Sequence, residues 1–347
     1  MIKKIKIENK FISEKEPVFI IAEAGVNHNG SLKNALKLVD AATAAGVDAI
    51  KFQTFKAEQV VTATGQMAKY QKKNIGKVES QLKMLKKLEL PEKFYQSIIN
   101  HCRKRKIIFL STPHGGFASV DLLEKLKVPA FKFGSGDLTN LPLLEYTAKL
   151  GKPIILGTGM ATLVEVKEAI NCIKKTGNNK IIVLHCTSNY PTGNNEVNLR
   201  AMQTMINKLK VLVGYSDHTL GIQVATMAAT LGACLIEKHF TLDRKMSGPD
   251  HKASLEPLEL KAMVEAIRQV PLILGSKVKS PIISELSAIK IGRKSIVAAR
   301  NIKKGEVFTK NNLSIKRPGT GLPPKVWFRI IGKRAKADFL KDELIRI

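Results

Sequence analysis

The chain alternates between short runs that are almost wholly apolar and longer segments in which apolar residues recur every three to four positions. Runs of the first kind lie at 18–25 (VFIIAEAG), 49–52, 107–111, 130–133, 153–158, 181–186, 211–215 and 233–237. Strands of a parallel sheet covered on both faces read as continuous apolar runs of this length, and the intervening segments read as the helices that cover them. Eight strands, each followed by a helix-sized segment and ending near Leu274, predict an α/β fold, a (β/α)8 TIM barrel. In that architecture the active site is assembled from the carboxyl ends of the strands. The repeat is irregular once, at 56–80 (KAEQVVTATGQMAKYQKKNIGKVES), a long polar connection after the second strand. On the catalytic face of a barrel such a connection reads as a lid or a substrate wall.

After Leu274 the pattern changes. Residues 276–292 read as a linker, and 293–347 as a small β-rich module with a strand at 295–299 (SIVAA) and a turn at Lys303-Lys304-Gly305. The expected organisation is a barrel over 1–275, the linker, and the module. A module this small buries little core alone, so it is expected to pack on a partner, with oligomerisation as the corollary.

Composition narrows the class. A hydrophobic fraction of 44% in 347 residues supports a full core. The cysteines, Cys102, Cys172, Cys186 and Cys234, form no C-x-x-C pair and imply a reducing compartment. The amino terminus carries acidic residues where a signal peptide needs an apolar run, and 18–22 is too short to span a membrane. A soluble cytoplasmic protein with no membrane partner is expected. The formal charge is +28, from 57 Lys and Arg against 29 Asp and Glu, a balance that fits nucleic-acid binding by counterion release. Aromatics make up only 5%, however, and the lysines are dispersed on helix faces instead of being interleaved with stacking rings. The expectation is a solvated basic surface that attracts anionic substrates and binds no nucleic acid.

Candidate chemistry concentrates where strands end. The runs at 211–215 and 233–237 emerge into Ser216-Asp217-His218 and Glu237-Lys238-His239, with one helix-sized segment, 223–231, between them. A right-handed βαβ crossover places both carboxyl ends on one side of the sheet, so His218 and His239 face each other. A single strand-end histidine is ordinarily satisfied by a backbone carbonyl. Two at equivalent stations, with Asp217, Glu237 and Asp250 close by, read as holders of a divalent cation with positions left open for substrate and water. The other strand ends offer Glu23, Lys51 with Gln53, Ser111 with Thr112, Lys132 with Ser135, Thr158, and Thr187 with Ser188 and Tyr190. A lysine entering a barrel mouth either forms an imine or neutralises an anion. Two lysines beside hydroxyls and Gly134 fit a small, doubly anionic ligand better.

The motifs AEAGVNHNG, KFQTF, STP, SGD followed by TNLP, GTGMAT, HCTSNYP, GYSDHT, EKHFTLD, MSGPDHKASLEP and KRPGTG occur in order along nearly the whole chain. In them the sequence resembles the sialic acid synthase family. The resemblance implies a barrel with a C-terminal antifreeze-like (SAF) domain that condenses phosphoenolpyruvate with an N-acylated mannosamine-type sugar, giving a nine-carbon 2-keto acid and phosphate. The same condensation can yield N,N'-diacetyllegionaminate or pseudaminate. It implies manganese or magnesium on His218 and His239, and phosphoenolpyruvate on Lys51, Thr112, Lys132, Ser135 and Ser216. Glu237, Asp250, Gln53 and Tyr190 would face the sugar, and Ser188 stands at a further substrate contact where relatives carry asparagine or threonine. Arg317 would reach from the small domain into the partner's barrel in a domain-swapped homodimer. Glu23, Glu237 and Asp217 are all candidates for the base. Two other classes use the same residues differently: a metal-dependent aldolase with a nucleophilic lysine, and a non-catalytic carbohydrate-binding protein.

Overall fold

The computed structural model describes residues 4–76 and 79–347, so residues 77–78 of the long connection lie outside it. The chain divides into two compact units, one up to Gly275 and one from Ser276 to Ile347.

The first unit opens with a hairpin, β1 (Ile5–Ile7) against β2 (Lys10–Ile12), in register Ile5 to Ile12. Eight barrel strands follow: β3 (Phe19–Gly25), β4 (Ala49–Thr54), β5 (Ile108–Pro113), β6 (Phe131–Phe133), β7 (Ile154–Gly157), β8 (Ile181–His185), β9 (Leu212–Asp217) and β10 (Leu235–His239). They form one parallel sheet in the order β5-β4-β3-β10-β9-β8-β7-β6. The last strand pairs with the first, Leu235 opposite Phe19 and His239 opposite Glu23. β5 and β6 lie side by side without a named ladder, so the barrel is nearly closed.

Alternation along each strand sorts the side chains. Ile20, Ala22, Ile50, Phe52, Phe131, Phe133 and Ile236 face outward and pack under the helices. Ile21, Ala49, Leu110, Ile155, Ile182, Leu184 and Leu235 face inward. The hairpin's Ile5, Ile7 and Ile12 join this inner cluster and plug the amino-terminal end of the barrel. That hairpin is legible in the alternation of Ile5-Lys6-Ile7, which is too short a signal to stand out beside the neighbouring lysines. With the lower end filled by apolar side chains, the polar residues gather at the opposite strand ends.

The connection after β4 is more ordered than a bare loop. It carries helices at Ala57–Val60, Lys69–Ile75 and Gln81–Leu88, the last capped by Ser80 accepting from the Lys83 amide. Val26, Phe55, Ala57, Met67, Met84, Leu85 and Leu88 form a separate apolar cluster that holds this excursion together.

In the second unit, residues 276–292 carry a turn at Ile283–Glu285 and a helix at Leu286–Gly292, so this stretch has structure beyond that of a linker. β11 (Ser295–Ala298) pairs antiparallel with β12 (Leu313–Lys316). A small core of Ile296, Ala298, Ile302, Phe308, Leu313, Ile330, Ala335, Phe339 and Ile345 fills the module.

Candidate active site

At the carboxyl end of the barrel, inward-facing residues from four strands converge on a buried group of four charges. Lys51 Nζ lies 2.5 Å from Glu23 Oε2 and 3.8 Å from Glu237 Oε2, and it donates to Thr112 Oγ1 at 3.0 Å. Lys132 Nζ lies 3.2 Å from Glu237 Oε1. Gln53 Nε2 donates to Glu23 Oε1 at 3.2 Å, and Ser216 donates to Glu237 Oε1 at 3.0 Å. Two ammonium groups and two carboxylates in one dry cluster satisfy the rule that a buried charge needs a partner.

The two carboxyls are not equivalent. Burial lifts the Glu23 carboxyl to about 7; Lys51 pulls it down, and repulsion by Glu237 offsets only part of that pull, so burial decides the direction. Burial alone would raise Glu237 too, but Lys132 and Lys51 bracket it and hold it down to about 2. Burial also works against the Lys51 ammonium, yet Glu23 and Glu237 together raise its pKa. An environment that splits two like groups in this way separates a permanent anion from a group able to exchange a proton near neutrality.

Next to this cluster stand the two histidines, with ring centroids 5.6 Å apart. His218 Nδ1 donates to the Thr187 carbonyl at 2.6 Å, which fixes the tautomer and leaves Nε2 as an acceptor. That Nε2 lies 3.1 Å from the Tyr190 hydroxyl, which can donate to it, and 3.4 Å from Ser216 Oγ, whose own proton goes to Glu237. Burial lowers His218 to about 4 and His239 well below its ordinary value, so both rings are neutral donors. His239 Nδ1 is a buried nitrogen without a hydrogen-bond partner among the described residues. A neutral, oriented imidazole beside one with an unsatisfied nitrogen fits a cation-binding pair. Among the described residues no group of three or more His, Cys, Asp or Glu forms a complete ligand set.

The remaining predicted residues fall into three places. Ser135 accepts from the Gly159 amide at 2.9 Å and lies 3.2 Å from Cys186 Sγ. A Cβ on Gly159 would sit 2.2 Å from Ser188 Oγ and 2.9 Å from Ser135 Oγ, so only glycine lets both hydroxyls converge beside this amide. The Tyr190 ring lies 4.1 Å from His218, meets His239 edge-on at 5.4 Å, and has Tyr70 5.2 Å away. Asp250 is buried near those two tyrosines, and desolvation lifts its carboxyl to about 6.

Asp217 is not brought together with these groups. Its neighbours Ser216 and His218 take the inward positions, so its own side chain turns out of the barrel. There it meets Lys238 at 2.7 Å, with both side chains fully buried, and accepts from the Thr219 amide and hydroxyl at 2.9 Å each. Ser111 likewise points outward, 2.7 Å from Thr54 Oγ1. Arg317 belongs to the second unit and is exposed there. Sequence reasoning passed over Tyr70, whose only signal is a lone aromatic in a polar stretch, and Lys238, masked by the histidine that follows it.

A sequence profile described as the NeuB family matches residues 38–279, and one described as the SAF domain matches residues 293–347. The chain is 51% identical over 329 residues to N,N'-diacetyllegionaminic acid synthase of Campylobacter jejuni, covering 94% of this chain and 98% of that one. It is 34% identical to human N-acetylneuraminate-9-phosphate synthase, covering 97% of this chain and 93% of that one. The crystal structure of N-acetylneuraminic acid synthetase from Leptospira borgpetersenii in complex with citrate superposes with a TM-score of 0.72 at 34% identity, covering 82% of this chain and 95% of that one.

Proposed function

The chain belongs to the NeuB family, and from that premise we propose that it is a transferase condensing phosphoenolpyruvate with an N,N'-diacetylated six-carbon sugar to a nine-carbon 2-keto acid, with release of phosphate. The diacetylated acceptor is favoured over N-acetylmannosamine because similarity is 51% to a diacetyllegionaminic acid synthase and 34% to an N-acetylneuraminate-9-phosphate synthase. The observation that carries the reading is the Glu23–Lys51–Glu237–Lys132 cluster under the paired histidines.

Lys51 and Lys132 face the anionic groups of phosphoenolpyruvate, with hydroxyls of Thr112, Ser135, Ser188 and Ser216 supplying further donors. Gln53, Tyr190 and Asp250 face the acceptor. His218 and His239 would hold a divalent cation, Mn2+ or Mg2+, which when bound supplies polarisation of the acceptor carbonyl. The C2–C3 π pair of phosphoenolpyruvate forms a bond from C3 to the acceptor's aldehyde carbon, the carbonyl π pair moves onto the aldehyde oxygen, which takes up a proton to become a hydroxyl, and C2 is left electron-deficient. Water adds at C2, losing its proton to Glu23, the one member of the cluster whose pKa stands near neutrality. The C2–O bond to phosphate then breaks, and the keto group forms. Of the three carboxylates open as bases, Glu237 is committed to its two lysines and Asp217 to Lys238.

A lysine-nucleophile aldolase would need a neutral amine, whereas Lys51 is held as ammonium by two carboxylates. Arg317 is proposed to act in a partner subunit's site within a homodimer, and the protein to work in the cytoplasm. The deciding assay is phosphate release from phosphoenolpyruvate with N-acetylmannosamine and with N,N'-diacetylated trideoxyhexoses offered in parallel. Turnover with the diacetylated sugar is expected; no phosphate release with any acceptor would reject the reaction.

A further inference from the structure

The AEAGVNHNG motif contributes Glu23 to the charge cluster, yet its asparagines and histidine touch none of those groups. The two asparagines hold the segment 247–254 instead. Asn29 Nδ2 donates to the Ser247 carbonyl at 2.9 Å, and Asn29 Oδ1 lies 3.3 Å from His251 Nε2. His251 Nδ1 lies 2.7 Å from the Thr241 hydroxyl. Burial pushes His251 down to about 4, so its ring is neutral. The one consistent arrangement has the Thr241 hydroxyl donating to Nδ1 and Nε2–H donating to Asn29. A Cβ on Gly248 would come within 2.6 Å of the His251 ring and 3.2 Å of Asn29 Oδ1, so the segment lies directly on this chain of bonds.

A second chain ends on Asp250 itself. Asn27 Nδ2 donates to Ser254 Oγ at 3.0 Å and to the Phe240 carbonyl at 2.8 Å, and Ser254 Oγ donates to the Asp250 carbonyl at 2.7 Å. Asn29 takes a left-handed backbone (φ 51), a conformation asparagine tolerates, and Gly30 follows with its amide donating to His28 Nδ1. The turn is thereby folded back so that both asparagines aim at the same segment. The main chain of 247–254 is pinned from both sides. The Asp250 carboxylate, 8% exposed, accepts no hydrogen bond among the described residues. A carboxylate with no partner among the described residues, on a firmly held backbone, is set up to accept from a ligand.

We propose that Asn27, Asn29, Thr241 and His251 are positioning residues that fix Asp250 against the acceptor sugar and leave phosphoenolpyruvate binding untouched. The kinetic part of this assignment rests on the reaction proposed above; the clamp itself does not.

The test uses the full chain with Thr241→Val, which keeps the shape and removes the hydroxyl, with Asn29→Ala, and with Thr241→Ser as the rescue. Thr241→Val and Asn29→Ala are expected to raise KM for the acceptor roughly tenfold, the loss of about one hydrogen bond, while KM for phosphoenolpyruvate stays within about twofold. Thr241→Ser is expected to match wild type within about twofold on both. Amide hydrogen exchange, read without substrate, is expected to accelerate roughly tenfold across 247–254 in the two disabled variants with the barrel strands unchanged. Accelerated exchange in a protein that releases no phosphate with any sugar would uphold the clamp and reject the reaction. Exchange at 247–254 equal to wild type in both variants, or parallel rises in both KM values, would overturn the positioning role.

Discussion

Lys51 Nζ sits 2.5 Å from Glu23 Oε2, yet Glu23 is the carboxyl of the cluster that protonates most readily. Burial, with repulsion from Glu237, outweighs the pull of Lys51 on Glu23, while Glu237 has Lys132 beside it and shares Lys51 with Glu23. The rate is therefore expected to depend on Glu23 being deprotonated. Its pKa is raised, so the acid limb moves up: kcat/KM should fall about tenfold per pH unit once the pH drops below about 7. Glu23→Gln should lower kcat by roughly 10²- to 10⁴-fold and flatten that limb. A pH profile of the variant that keeps the wild-type limb would assign the base elsewhere.

His218 and His239 should account for any metal requirement. Wild-type activity is expected to disappear on chelation and return with Mn2+ or Mg2+, and His218→Ala, His239→Ala and the double variant should bind less metal and recover nothing. Both rings sit at strand ends whose packing lies below them, so circular dichroism of the variants should match wild type. Full turnover by the double variant would end the metal assignment.

The Asp217–Lys238 pair predicts a change in stability without a matching change in chemistry. Removing one partner of a buried pair strands the other charge, so Asp217→Ala should cost about 3–5 kcal/mol in denaturant unfolding. Replacing both with apolar residues, Asp217→Leu with Lys238→Met, should recover part of that loss, the rest being the Thr219 amide and hydroxyl left without their acceptor. The folded fraction of Asp217→Ala should keep kcat within about threefold, because the carboxylate faces away from the reacting groups. A kcat loss on the scale expected for Glu23→Gln would return Asp217 to the list of catalytic groups.

Arg317→Ala should lower turnover although the residue lies outside the barrel unit. If Arg317 acts in a partner subunit, mixing Arg317→Ala chains with Glu23→Gln chains should regenerate activity in heterodimers that neither homodimer shows. A mixture no more active than its two components would place Arg317 outside the site.

The eight barrel strands were legible because a strand covered on both faces reads as an unbroken apolar run, and their polar ends were legible because burial stops there. LVGY before Ser216 and LI before Glu237 mark both the strands and the mouth. The same property hid the facing of each residue. β9 and β10 are buried along their whole length, so hydrophobicity carries no alternation from which to read which side chains point inward. Asp217 and Ser216 are equally plausible site residues on paper, and a shift of one position exchanges their roles.

Sequence by itself determined the strand count, the station of every charged strand end and the pairing of His218 with His239, because these depend on local order along the chain. Tertiary structure alone decided that Glu237 takes two lysines, that Asp217 takes Lys238, and that Asn27 and Asn29 reach across more than two hundred residues to the Asp250 segment. Those partnerships depend on which faces of neighbouring strands meet, and with them on how each carboxyl's burial is balanced against its neighbours' charge. That balance is a property of the assembled barrel and of no segment within it.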